Sequence, residues 1–197
     1  WYVAPYLNQA KKIVWEDPMM LPKYCPPEIW ENRNNTDLTI KFPNGSIIYV
    51  LGADHPDSLR GPNPRGVVLD EYGDMKKEIW SGIVQPIMMA NPGAWTWFMG
   101  TPKGRNDFHS KFVYASEGGS PNWFASHLKA SESGIILAEM LEEARKTTTQ
   151  AFFSQEYECE FIESATSFFR RIRVNAYDLA KKRVLPEKGW EYQLDVE

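Results

Sequence analysis

Apolar and polar positions alternate cleanly in one stretch of this 197-residue chain and repeat at helical spacing in several others. Leu38, Ile40 and Phe42 alternate with Thr39 and Lys41, the pattern of a half-buried strand. Asn44-Gly45 follows, supplying the positive φ of a tight turn, and Ile47 to Leu51 returns. Residues 37–51 are therefore predicted to be a β-hairpin. Trp1 to Ala4 is a short strand candidate stopped by Pro5, and Asn8 to Trp15 follows as a helix. Four prolines between Pro18 and Pro27 break the chain into loops, with one helical turn at Glu28 to Asn32. A polar Pro/Gly-rich loop covers 52–66, with a turn at Pro56 to Leu59.

Val67-Val68-Leu69 is a short continuous apolar run, as expected of a buried parallel strand. Ile79, Ile83 and Ile87, flanked by Trp80, Val84 and Met88, form the broad stripe of a helix packed on a sheet. Trp95 to Met99 reads as the next buried strand. Phe108 to Ala115 reads as a helix and Trp123 to Leu128 as a strand. Leu137, Met140, Leu141 and Ala144 mark an amphipathic helix, and Phe153, Tyr157 and Phe161, four apart, mark another. Residues 164–188 read as a connector with a short helix near Asn175 to Lys182. Tyr192 to Glu197 reads as a strand just starting. Strands alternating with helices predict an α/β sheet wrapped on both faces, with ligands bound beyond the carboxyl ends of its strands. That rule selects Asp70-Glu71 and Gly100-Thr101.

Composition narrows the classes. The hydrophobic fraction of 43% and aromatic fraction of 14% fill a sizeable core and exclude a disordered chain. The net charge of −4 leaves no global positive field for nucleic acid. No apolar run approaches the ~18 residues of a membrane span. Cys25 and Cys159 lack metal or redox spacing and read as two buried, reduced thiols. His55, His109 and His127 are dispersed and suggest no metal site. The missing initiator Met and the strand-like ends suggest a piece of a longer protein, truncated at both ends.

A carboxylate at a strand end can hold the Mg²⁺ that bridges nucleotide phosphates, and a second can take a proton from the attacking water. Asp70 and Glu71 suit these two roles, although acidic pairs also occur as solvated turns. A hydroxyl at a strand end, as in Gly100-Thr101-Pro102-Lys103-Gly104-Arg105-Asn106, can sense a γ-phosphate, and the glycines permit close backbone approach. The same residues also suit a surface turn. Arg60, in Ser58-Leu59-Arg60-Gly61, can offer charge to a transferring phosphoryl group, in a neighbouring subunit as an arginine finger, or serve a surface ion pair. The phosphate-cradling pattern GxxxxGK[ST] occurs nowhere in the sequence.

In order and spacing these pieces resemble the ATPase domain of the large terminase subunit, the DNA-packaging motor of tailed bacteriophages. The resemblance rests on six segments. They are Trp1 to Pro5 with Gln9-Ala10-Lys11; the Asn44-Gly45-Ser46 hairpin; Gly52-Ala53-Asp54 with Ser58 to Gly61; Val67 to Glu71; Gly100 to Gly104; and Phe153 to Phe161. It implies a RecA-like P-loop NTPase core (the additional-strand, catalytic-glutamate class) with a mainly parallel sheet, helices on both faces and a β-hairpin. It implies a partial ATPase domain over 1–163, a linker over 164–188 and the start of a nuclease domain over 189–197. Asp70 is then the Walker B acid binding Mg²⁺ with ATP, Glu71 the catalytic glutamate, and Gly100-Thr101 the coupling motif at the nucleotide. Arg60 stands where some members carry a trans-acting finger. Asp195 stands where the first nuclease metal ligand falls, with Leu194 in place of the usual Gly.

The resemblance further implies ATP-driven translocation of double-stranded DNA into a procapsid. Its partners would be a small terminase subunit and a portal protein, and the motor a homo-oligomeric ring without a membrane role. It would work in the host cytoplasm and transiently at the portal. Lacking the cradle, the chain by itself is expected to be inactive. A fragment of a second-superfamily helicase, or a degenerate remnant serving as an assembly surface, are the alternatives. Lys103, Arg105, Arg170, Arg171 and Arg173 suit DNA phosphates or solvated surface equally.

Overall fold

The computed structural model describes residues 1–162, 177–178 and 183–184. Six strands form one sheet: β1 (Tyr2–Ala4), β2 (Asn32–Asn34), β3 (Thr39–Lys41), β4 (Ile47–Gly52), β5 (Gly66–Leu69) and β6 (Trp95–Phe98), in spatial order β2-β3-β4-β1-β5-β6. β4, β1, β5 and β6 run parallel, while β2, β3 and β4 form an antiparallel meander. The predicted hairpin is β3–β4, closed at Gly45, whose φ is 84° and whose N–H donates to Phe42 O at 2.9 Å. The parallel β5 is present as its apolar run requires.

Alternation along the strands sends neighbouring residues to opposite faces. Val3, Val67 and Leu69 enter one cluster with Leu59, Tyr72, Ile79, Trp80, Ile83 and Val84. Ala4 and Val50 enter the other with Ala10, Val14, Trp15, Leu38 and Ile40. The first face is covered by a helical run of α3 (Lys77–Ile79), a π turn at Trp80–Val84 and α4 (Gln85–Met89). The wide turn sits just before Pro86, which has no N–H to give the carbonyl four residues back. The second face is covered by α1 (Leu7–Ala10), continued as a π turn over Lys11–Trp15. The remaining helices are α2 (Leu21–Tyr24), α5 (Asp107–Ser116), α6 (Ala130–Ser133), α7 (Ala138–Thr147) and α8 (Gln150–Glu156).

Five expectations need correction. β6 is a strand but not a buried one: Trp95 is 49% and Trp97 62% exposed. Among the described residues β6 has no neighbour on its outer edge, and its 95, 97, 99 face carries no covering helix. Trp123 to Leu128 forms no strand; Trp123 instead stacks on Phe98 at 5.8 Å and meets Trp80 edge-on at 6.4 Å. Phe161 lies beyond the end of α8 and packs on Phe108, His109 and Phe112 of α5. Where a helix was expected near 175–182, Tyr177–Asp178 pairs antiparallel with Arg183–Val184. Cys159 is only partly buried, unlike Cys25. The expectations for Arg170, Arg171, Arg173 and Asp195, and for the strand from Tyr192, lie outside the described residues.

Candidate nucleotide-hydrolysis site

β5 delivers the acidic pair to the carboxyl edge of the sheet. The β1 pairing continues one residue past the strand, with Asp70 N–H donating to Val3 O at 2.8 Å. The chain then turns sharply. Glu71 has a φ of 51°, in the left-handed region that a side chain enters at a cost, and a 3₁₀ turn follows over Tyr72–Asp74. Main-chain bonds tie this turn to the end of β6. Met99 N–H donates to Leu69 O and Tyr72 N–H to Met99 O, both at 2.9 Å.

Gly100 makes the close approach possible. Its φ is 145°, and a Cβ there would stand 3.0 Å from Glu71 Cα. Next in line, the Thr101 backbone favours charge on the Glu71 carboxylate. The structure therefore brings Asp70, Glu71, Gly100 and Thr101 together at one sheet edge.

The electrostatics of the pair are unequal. Burial and the neighbouring Asp70 charge push the Glu71 carboxyl above its ordinary 4.5, with Asp74 adding to the push, while Lys103 and Thr101 pull it back. Asp70 accepts from the Tyr2 phenol at Oδ2 and from the Glu71 N–H at Oδ1, the latter at 3.0 Å. Burial, the bond to Asp70 and both carboxylate charges push the Tyr2 phenol far up, so it is a donor at every working pH.

The loop after β6 fastens to the turn after β5 through polar contacts. Lys103 Nζ pairs with Asp74 Oδ2. Asn106 Nδ2 donates to Gly73 O at 2.9 Å, while Asn106 Oδ1 caps α5 by accepting from His109 N–H at 3.2 Å. The Tyr72 phenol donates to Asp107 Oδ2 at 2.5 Å, and Lys111 holds Asp107 Oδ1 at 3.1 Å. Sequence reading missed Tyr2, Asn106 and Asp107 as members of this network. Asn106 carried a signal, since Asn before a helical run is a cap. Tyr2 carried none, because an aromatic residue in a strand ordinarily signals packing.

Arg60 is not brought to the acidic pair. It follows a 3₁₀ turn (Pro56–Leu59), its side chain is 62% exposed, and its Nε lies 3.4 Å from Asp57 Oδ1. The buried Leu59 anchors that turn. The histidines disperse as well: His55 stands near Asp54, His109 beside Phe161, and His127 Nε2 lies 2.9 Å from Cys159 O.

Known proteins share this geometry's surroundings to a measurable degree. No family model matches the chain. It is 29% identical over 133 residues to the large terminase subunit of Escherichia phage T5, covering 66% of this chain and 30% of that protein. It is also 29% identical over 198 residues to the large terminase subunit of Thermus virus P23-45, covering 86% of this chain and 41% of that protein. The chain is similar to the phage large terminase subunits. It spans well under half the length of these terminases.

The fold agrees. The large terminase ATPase domain of Thermus phage P74-26 superposes with a TM-score of 0.65 at 24% identity, covering 82% of this chain and 76% of that one. The large terminase of another thermophilic bacteriophage, solved in complex with ADP, superposes at 0.61 and 15% identity over 82% of this chain and 40% of that one. The RecA-like α/β reading holds, and the terminase names do not favour the helicase alternative.

Proposed function

We propose that this chain supplies the metal-and-water half of the ATPase centre in a phage DNA-packaging motor. One observation carries the reading: main-chain bonds hold the turn that carries Asp70 and Glu71 against the end of the adjacent parallel strand, where Gly100-Thr101 begins. Kinship to large terminases gives this edge its substrate, ATP, since one structural neighbour was solved with ADP and another with ATP-γ-S.

The donor set suits Mg²⁺ bound with nucleotide. Such an ion takes one or two carboxylates and fills its remaining positions with phosphate oxygens and water, so no protein cage is required. Among the described residues there is no group of three or more His, Cys, Asp or Glu side chains that makes such a cage. Asp70 is the ligand. When bound with ATP, Mg²⁺ neutralises charge on the phosphates. Glu71 orients the attacking water and takes its proton, and its raised pKa brings it closer to working pH. In this reading the Thr101 hydroxyl bonds the γ-phosphate and registers its departure.

The phosphate cradle is a separate requirement. Backbone N–H groups and a Lys must hold the β- and γ-phosphates, and the GxxxxGK[ST] pattern is not in this sequence. By itself the chain is therefore expected to turn over no ATP at a useful rate. In this reading 1–163 is a partial ATPase domain, 164–188 a linker, and 189–197 the start of a nuclease domain with Asp195 as a metal ligand. Double-stranded DNA, a small terminase subunit, a portal protein and a homo-oligomeric ring are the partners, met in the host cytoplasm and at the portal. Arg60, exposed and paired with Asp57, acts in this reading on a neighbouring subunit.

In the longer protein carrying this chain, Glu71→Ala should lower ATP turnover by at least ~10²-fold, the usual worth of a positioned base. Turnover within a few-fold of wild type would remove Glu71 from the chemistry. Arg60→Ala should also lower turnover, and mixing it with a Glu71→Ala protein should restore part of the loss through hybrid interfaces. Mixtures that merely average the two activities would return Arg60 to its ion pair with Asp57.

A further inference from the structure

We propose that Tyr2 is the positioning residue for Asp70, holding its carboxylate so that the free lone pairs face the nucleotide-bound metal. The inference rests on the reading of Asp70 as the Mg²⁺ ligand given above. Tyr2 lies opposite Val68 in the β1–β5 register, and alternation puts Asp70, two residues on, on the same face as Val68. The Tyr2 hydroxyl donates to Asp70 Oδ2, and the Glu71 N–H donates to Oδ1 at 3.0 Å.

A carboxylate has about four lone-pair sites. Two are committed within the protein, one on each oxygen, which fixes both torsions of the Asp70 side chain and leaves one site on each oxygen open. The phenol is itself anchored, because the Tyr2 ring packs against the cluster of Ala4, Val50 and Ile40. Bonds of this outer kind set the direction of a metal ligand, and their loss typically costs about 10–100-fold in metal affinity. The backbone bond from Glu71 cannot do this alone, since it restrains only one oxygen.

The test uses the longer protein carrying this chain and four forms of it: wild type, Tyr2→Phe, Asp70→Asn and the double variant. Binding of a fluorescent ATP analogue is titrated with Mg²⁺, and Mg²⁺-free binding is measured beside it. Phe keeps the ring and its packing. Tyr2→Phe should raise the half-saturating Mg²⁺ concentration about 10-fold and leave Mg²⁺-free binding unchanged. On the Asp70→Asn background the same change should add nothing, because the two act as one unit.

Unchanged Mg²⁺ dependence in Tyr2→Phe, with Asp70→Asn impaired, would overturn the role of Tyr2 and leave Asp70 as the ligand. Equal losses on both backgrounds would also overturn it, showing that Tyr2 acts only through packing. Unchanged Mg²⁺ dependence in Asp70→Asn would overturn the metal reading and this inference with it.

Discussion

Glu71 pays twice for its place. Its backbone sits at a φ of 51°, where a non-glycine residue costs roughly 1–2 kcal/mol. Its carboxyl is desolvated and faces Asp70. The second cost has a definite pH signature. The folded-state pKa is raised above 4.5, so the native state binds this proton more tightly than the unfolded chain. Below about 4.5 both states are protonated and the cost is absent. It grows as pH rises toward the folded value and is complete above it. Glu71→Gln removes the charge and keeps the shape. The Gln form should melt higher than wild type at pH 8, with the gap closing as pH falls to 4. A constant gap across that range would show that charge is not its origin. Strain of this kind gathers at functional sites, and the acidic dipeptide was legible in sequence. The left-handed turn that aims it was not, since nothing in Asp70-Glu71-Tyr72 calls for positive φ.

Elements explain why some of the chain was readable and some was not. The β3–β4 hairpin announced itself through Asn44-Gly45, and β5 through three apolar residues that a buried parallel strand needs. β2 stayed hidden because Asn32-Arg33-Asn34 is polar throughout and pairs at the sheet edge through its backbone. Trp123 to Leu128 has strand-like residues, but Trp123 serves an aromatic group with Trp80, Phe98 and Tyr114. Only Trp123 turns inward, while Phe124 and Leu128, which complete the strand-like pattern, stand exposed.

The loop from β6 to α5 is likewise a unit. Lys103, Asn106 and Asp107 fasten it to the turn that carries Glu71. Lys103 suited DNA phosphates in sequence, whereas here it pairs with Asp74 and favours charge on Glu71. In the longer protein, Lys103→Met should therefore move the acid limb of kcat/KM to higher pH, because Glu71 then holds its proton longer. An acid limb that stays in place would separate Lys103 from Glu71 electrostatically.

At the scale of the whole molecule, the sheet is asymmetric. Its β2 end is short and polar, which blunts an edge, while its β6 end, among the described residues, offers unpaired backbone beside exposed Trp95, Trp97 and Met99. On the Trp97 side the helical cover reaches β4 and β1, through α1 and its π turn, and stops before β6. Nothing in the strand-helix periodicity disclosed this. Trp95-Thr96-Trp97-Phe98 reads as buried, and only the strand order reveals that it lies at the margin.

That margin decides how the chain behaves in a test tube. An open, apolar strand edge is a template that another copy of the same chain can extend, and repetition leads to clusters and then to precipitate. Light scattering from the isolated chain should rise with concentration well below the solubility usual for a domain of this charge. Trp97→Lys, which puts a charge in the middle of β6, should lower that scattering several-fold while leaving the far-ultraviolet circular dichroism unchanged. If scattering is equal in the two forms, the adhesive surface lies elsewhere. The strand beside the Asp70-Glu71 turn is then also the strand that sets the chain's colloidal stability.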